Sequence, residues 1–157
     1  ELSAISNLSK VIVGTVQKNH IFNTSVRENM KIGNPEATDQ EIMEVLTALD
    51  LHGLIQEMPE GLDTILGNFG RSMSGGEAKR IAVARALVAD PFILLLDEPL
   101  TGLDAELRDR LLEDMGALLR TRGTTVVHVT HDHNEAARLS NRVVDVRTLG
   151  QSGVQLQ

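Results

Sequence analysis

Phe92-Ile93-Leu94-Leu95-Leu96-Asp97-Glu98-Pro99 runs five apolar residues directly into two carboxylates and a proline. A run that is apolar at every position suits a strand buried on both faces of a parallel sheet. In open sheets of that kind ligands bind beyond the carboxyl ends of the strands, so Asp97 and Glu98 fall where chemistry is expected. Asp97 is placed to hold Mg²⁺ through its water shell, and Glu98 to polarise an attacking water. The same pair would also serve as turn or capping residues after a core strand.

Downstream of this stretch, Asp104 can cap a long helix carrying Leu107, Leu111, Leu112, Met115 and Leu118, which runs out before Gly123. Thr124–Thr130 reads as the next strand. Asp132 and Glu135 have the spacing of a capping box that opens a helix to about Leu139, and Arg142–Val146 is a last strand candidate. Upstream, Ser74 and Glu77 form a box opening a helix to about Ala89, which Asp90-Pro91 ends. Thr38 and Glu41 form another, followed by Ile42, Val45, Leu46 and Leu49 at helical spacing. Val11–Val16 reads as a first strand, and glycines from Gly53 to Gly70 punctuate loops and short helical pieces. Strands alternating with helices predict βαβ units and a parallel sheet, with a helical insert between Val26 and Ala89 as its own lobe.

Composition narrows the function. A net charge of −7, with both signs mixed along the chain, argues against a nucleic-acid surface. Aromatic residues make up only 2%, so there is no stacking platform for single strands either. Cysteine is absent, which removes disulfides and cysteine-ligated zinc. No apolar run approaches the roughly 20 residues that span a bilayer.

Three further places carry chemistry. In Met73-Ser74-Gly75-Gly76-Glu77, two glycines beside a helix start leave N–H groups aligned with the positive end of the helix dipole. That is a phosphate site, although a plain capped helix accounts for the same residues. His131, just past a strand, would reach the same sheet edge as Asp97 and Glu98 if the two strands are neighbours, and could contact a γ-phosphate or orient water and base. Gln17 follows the first strand and could reach Mg²⁺ or water. His20, His52, His128 and His133 show no metal-ligand spacing.

Together these residues resemble the later part of an ABC transporter nucleotide-binding domain, over about residues 5 to 147. Gln17 matches the Q-loop, Ser74-Gly-Gly-Glu-Ala-Lys-Arg80 the signature, and Ile93–Glu98 the Walker B strand. Thr101-Gly-Leu-Asp104 matches the D-loop and His131 the switch histidine. Ile21–Asn29 and Gly61–Gly67 are similar to the exporter branch. Three departures stand out: Glu77 replaces the signature Gln, Met73 replaces Leu, and Asn68 stands where exporters usually carry an acid.

The resemblance implies a P-loop NTPase-like α/β fold, here the C-terminal part of the core with an inserted α-helical subdomain. It divides the chain into core with Q-loop at 1–25, helical subdomain at 26–89, core with Walker B, D-loop and switch histidine at 90–150, and a tail at 151–157. It implies ATP and Mg²⁺, a head-to-tail dimer with a second nucleotide-binding domain, and transmembrane domains as partners on the cytoplasmic side of a membrane. Ser74, Gly75, Gly76 and Glu77 would meet nucleotide in trans. Glu98 would be the general base, His131 and Gln17 would sense the γ-phosphate, Asp97 and Gln17 would hold Mg²⁺, and Asp104 would link the two sites. A soluble relative in DNA repair, chromosome organisation or translation, or a non-catalytic fragment, would share these motifs. No G-x-x-x-x-G-K-[ST] occurs in the sequence, so the chain reads as a piece of a longer ATPase that binds ATP poorly and turns over little by itself.

Overall fold

The computed structural model describes residues 12–15 and 20–146. Three strands make one parallel sheet: β1 (Ile12–Thr15), β2 (Ile93–Asp97) and β3 (Thr125–Val129), in that spatial order. Their register places Thr15, Leu96 and His128 side by side, and likewise Gly14, Leu95 and Val127. β2 is the central strand, and its Leu94 and Leu96 are both buried.

Six helices accompany the sheet among the described residues: α1 (Val26–Lys31), α2 (Asp39–Ala48), α3 (His52–Gln56), α4 (Gly75–Val88), α5 (Ala105–Arg122) and α6 (His133–Leu139). Their ends follow the capping chemistry of the sequence. Thr38 and Glu41 bond reciprocally at the start of α2, as do Ser74 and Glu77 at α4. Asp104 accepts from the Leu107 N–H, and Gly123 closes α5 in the left-handed conformation that a glycine adopts without cost. Ile42, Val45 and Leu46 of α2, Ile81, Ala84 and Leu87 of α4, and Leu111 and Met115 of α5 join Leu94 and Leu96 in one continuous apolar core.

Three expectations are corrected. β2 is buried on one face only: Leu95 is 40% exposed, and Val127 and Val129 beside it on β3 are exposed as well. The buried helix residues join Leu94 and Leu96 in one core, while the face of Leu95, Val127 and Val129 stays exposed among the described residues. Arg142–Val146 is not a strand. Its valines are exposed, and β-branched residues form strands only where a pleated surface receives them; β3 pairs with β2 alone among the described residues. The expected box at α6 is half formed. Asp132 accepts from the N–H groups of Asn134 and Glu135, but Glu135 turns inward to accept from Thr130 Oγ1 at 2.9 Å.

Candidate active site

β2 and β3 end side by side, and the chain leaves β2 through a tight turn. The Glu98 N–H donates to the Val129 carbonyl at 2.9 Å, and Glu98 itself has φ +47°, the left-handed region that a residue with a Cβ occupies only at some cost. This turn swings the Glu98 side chain toward β3. There, Oε1 accepts from the His131 N–H at 3.1 Å and lies 2.7 Å from His131 Nδ1. On the other side, Thr101 Oγ1 donates to Oε2 at 2.5 Å. Both carboxylate oxygens are therefore held, one by each flanking loop.

The pairing polarises both partners. Burial pushes the Glu98 carboxyl up, but the hydrogen bonds from Thr101 and His131 and the nearby imidazole outweigh it, and the group sits below the usual carboxylate range. The hydrogen bond and the charge of Glu98 raise His131 above its ordinary value. At neutral pH Glu98 is an ionised acceptor with a fixed orientation, which is what proton abstraction from water requires. The His131 side chain is 75% exposed, so its second ring nitrogen faces the outside of the turn.

Asp97 ends β2 next to this pair. Among the described residues no three His, Cys, Asp or Glu side chains gather into a metal cage. Mg²⁺ needs none, since it is held by one or two carboxylates together with nucleotide phosphates and water. A single carboxylate at a strand end fits that ion. Gln17, the other expected ligand, lies outside the described residues.

The phosphate-type loop lies at the start of α4. Ser74 and Gly75 are exposed, and the space around the Gly75 Cα is open. Glu77 turns back onto its own helix: its Oε2 accepts from the Ser74 N–H at 2.9 Å, and Arg71 stands 3.9 Å from Oε1. The Glu77 charge is engaged by the cap and by Arg71 rather than aimed outward. Asp104 spends one carboxylate oxygen on capping α5.

Sequence reasoning assigned Glu98, His131 and Asp97 to one edge, and the structure brings them together there. It missed two residues that touch the site. Thr101 lies within the matched D-loop, but nothing in its identity announces a bond to Glu98. Lys79, in the signature helix, donates from Nζ to the Thr101 carbonyl at 2.9 Å.

The comparisons with known proteins agree with these features. The family model for ABC transporter proteins matches residues 2–101. The heterocyst differentiation ATP-binding protein HepA of Nostoc is 40% identical over 89% of this chain and 23% of its own length. The glutathione/L-cysteine transport system ATP-binding/permease protein CydD of Bacillus subtilis is 37% identical over 82% of this chain and 22% of its length. A bacterial Atm1-family ABC exporter with ATP bound superimposes with a TM-score of 0.73 at 29% identity, covering 84% of this chain and 23% of the exporter chain. The chain thus spans less than a quarter of the length of these relatives. With five motifs in order, a parallel sheet ending in Asp97 and Glu98, and a family match over more than half its length, the chain belongs to the ABC transporter family, as part of an ATP-binding domain.

Proposed function

We propose that this chain forms part of an ATP-hydrolysing subunit of an ABC transporter, in which hydrolysis is coupled to transport across a membrane. The observation that carries this reading is the carboxylate–imidazole pair of Glu98 and His131, 2.7 Å apart at the joint end of β2 and β3.

Glu98 is the general base. It takes a proton from the attacking water as the water adds to the γ-phosphorus and ADP leaves. His131 holds Glu98 through Nδ1 and its N–H, and presents its other ring nitrogen to the γ-phosphate. Asp97, with Gln17, would hold Mg²⁺, which when bound neutralises charge on the β- and γ-phosphates. Ser74, Gly75 and Gly76 offer helix-end N–H groups to nucleotide bound on a second, head-to-tail domain, with Glu77 folded away and Asp104 at the seam between subunits. Transmembrane domains are the other partner, which places the domain on the cytoplasmic side of a membrane. The relatives that carry permease segments in the same polypeptide support this arrangement.

The sequence holds no G-x-x-x-x-G-K-[ST], so the 157 residues alone should show no ATPase above background. Robust turnover by them would overturn that part of the reading. In the complete protein, Glu98→Gln should cut turnover by about a hundredfold or more while a nucleotide-bound dimer accumulates. Normal hydrolysis by that variant would remove Glu98 as the base.

A further inference from the structure

The start of α4 and the loop between Glu98 and Asp104 are joined at two points. Lys79, one turn into α4, donates from Nζ to the Thr101 carbonyl at 2.9 Å. Gly76 packs so closely on Leu103 that a Cβ there would stand 3.0 Å from Leu103 Cδ2. Thr101 in turn directs its hydroxyl onto Glu98 Oε2 at 2.5 Å. A continuous path therefore runs from the start of α4, through one ammonium and one threonine, to the carboxylate.

We propose that Lys79 is a positioning residue for hydrolysis: by holding the Thr101 carbonyl it fixes the Thr101 hydroxyl on Glu98, and so passes displacement of the α4 end to the base of the same subunit. The inference rests on the reading of Glu98 as general base. A lysine suits the task because a charge-assisted hydrogen bond to a carbonyl is stronger than a neutral one. Partial burial lowers the pKa of its ammonium, against the raising pull of Glu98, Glu135 and Asp97. Displacement of the α4 end would then change the orientation of Glu98. Lys79 itself has no need to touch nucleotide.

The test uses steady-state ATPase kinetics of the complete protein. Lys79→Met should lower kcat about tenfold and leave KM for ATP within about twofold, because only orientation of the base is lost. Lys79→Arg, which restores a charged donor, should recover most of that loss. Thr101→Val should give a similar fall in kcat, and the Lys79→Met/Thr101→Val double variant should be no worse than either single one, since both break one path. If Lys79→Met does not fold, Lys79→Gln, with a shorter donor and good helix propensity, gives the same readout. An unchanged kcat, a loss expressed in KM, or additive losses in the double variant would overturn the inference. Glu98→Gln separates the two readings. Loss of turnover there together with an indifferent Lys79 sinks only the coupling, whereas normal turnover in Glu98→Gln sinks the base.

Discussion

Arg85 holds Asn29 at two points, Nε on the Asn29 carbonyl at 3.0 Å and Nη2 on Oδ1 at 2.8 Å. Asn29 is fully buried, and its amide also donates to the carbonyls of Phe22, Thr24 and Ser25 while Oδ1 accepts from the Phe22 N–H. Arg85 adds a bond to the His20 carbonyl and lies over the Phe22 ring. The segment from His20 to Ser25 is thus fastened to α4 through one amide and one guanidinium. Removing either leaves buried polar groups unpaired, so Arg85→Met and Asn29→Ala should each destabilise by about 2–3 kcal/mol, and the two losses should not add. Denaturant midpoints of the single and double variants measure this.

The Glu98–His131 pair has a pH window. His131 is raised above its ordinary value, so its stabilising contribution is fully present below about pH 6.5 and lost as pH rises through its folded value. Glu98 is lowered, so its contribution is present above about pH 4.3 and lost as pH falls through its folded value. Glu98→Gln should lower the His131 pKa toward the ordinary imidazole value, as read by imidazole NMR. A histidine that still titrates high in that variant would mean that Glu98 is not its partner.

His128 behaves in the opposite sense. Its ring is sealed from solvent, 3.5 Å from the buried Glu135, and neither ring nitrogen has a hydrogen-bond partner. Burial lowers its pKa against the pull of Glu135 and Glu98. The unfolded chain therefore takes up a proton that the folded one refuses, and stability falls as pH drops below about 6.5. His128→Leu should flatten stability between about pH 5 and 7. Chemical denaturation at several pH values checks it.

Two substitutions at the start of α4 should differ sharply. Ser74→Ala removes the acceptor for the Glu77 N–H and should cost about 1 kcal/mol. Glu77→Gln keeps an acceptor for the Ser74 N–H and should change stability by less than about 0.5 kcal/mol. Thermal melts of the two variants give the comparison.

Gly33 tests packing between the end of α1 and α4. A Cβ there would press into the Arg85 carbonyl and come within 3.3 Å of the Ala89 nitrogen. Backbone on that side has no rotamer to give way, so Gly33→Ala should cost about 1–3 kcal/mol in denaturant midpoint.

What could be read in the sequence was local or set by strand order. Thr38 with Glu41, Ser74 with Glu77, Asp104 and Gly123 mark helix ends because capping depends on residues three or four positions apart. Glu98 and His131 were expected to meet only if their strands were neighbours, and the β2–β3 pairing meets that condition. The rest depends on tertiary choice. Glu135 has the spacing of a capping residue, yet Thr130 and His128 offer it an inward place. The valines after Arg142 favour strands, yet no described strand receives them. Lys79 and Asn29 act through long reach or burial, which one-dimensional spacing does not encode.

The backbone at Glu98 restricts which amino acids can stand there before any chemistry is considered. At φ +47°, glycine, asparagine and aspartate are tolerated, unbranched side chains enter at modest cost, and valine, isoleucine and threonine are close to forbidden. The accessible replacements for the base are therefore mostly ones that keep the turn intact while altering the carboxylate. Loss of function at this position should consequently arrive with a well-folded protein far more often than at Leu94 or Leu96, a few residues earlier inside β2.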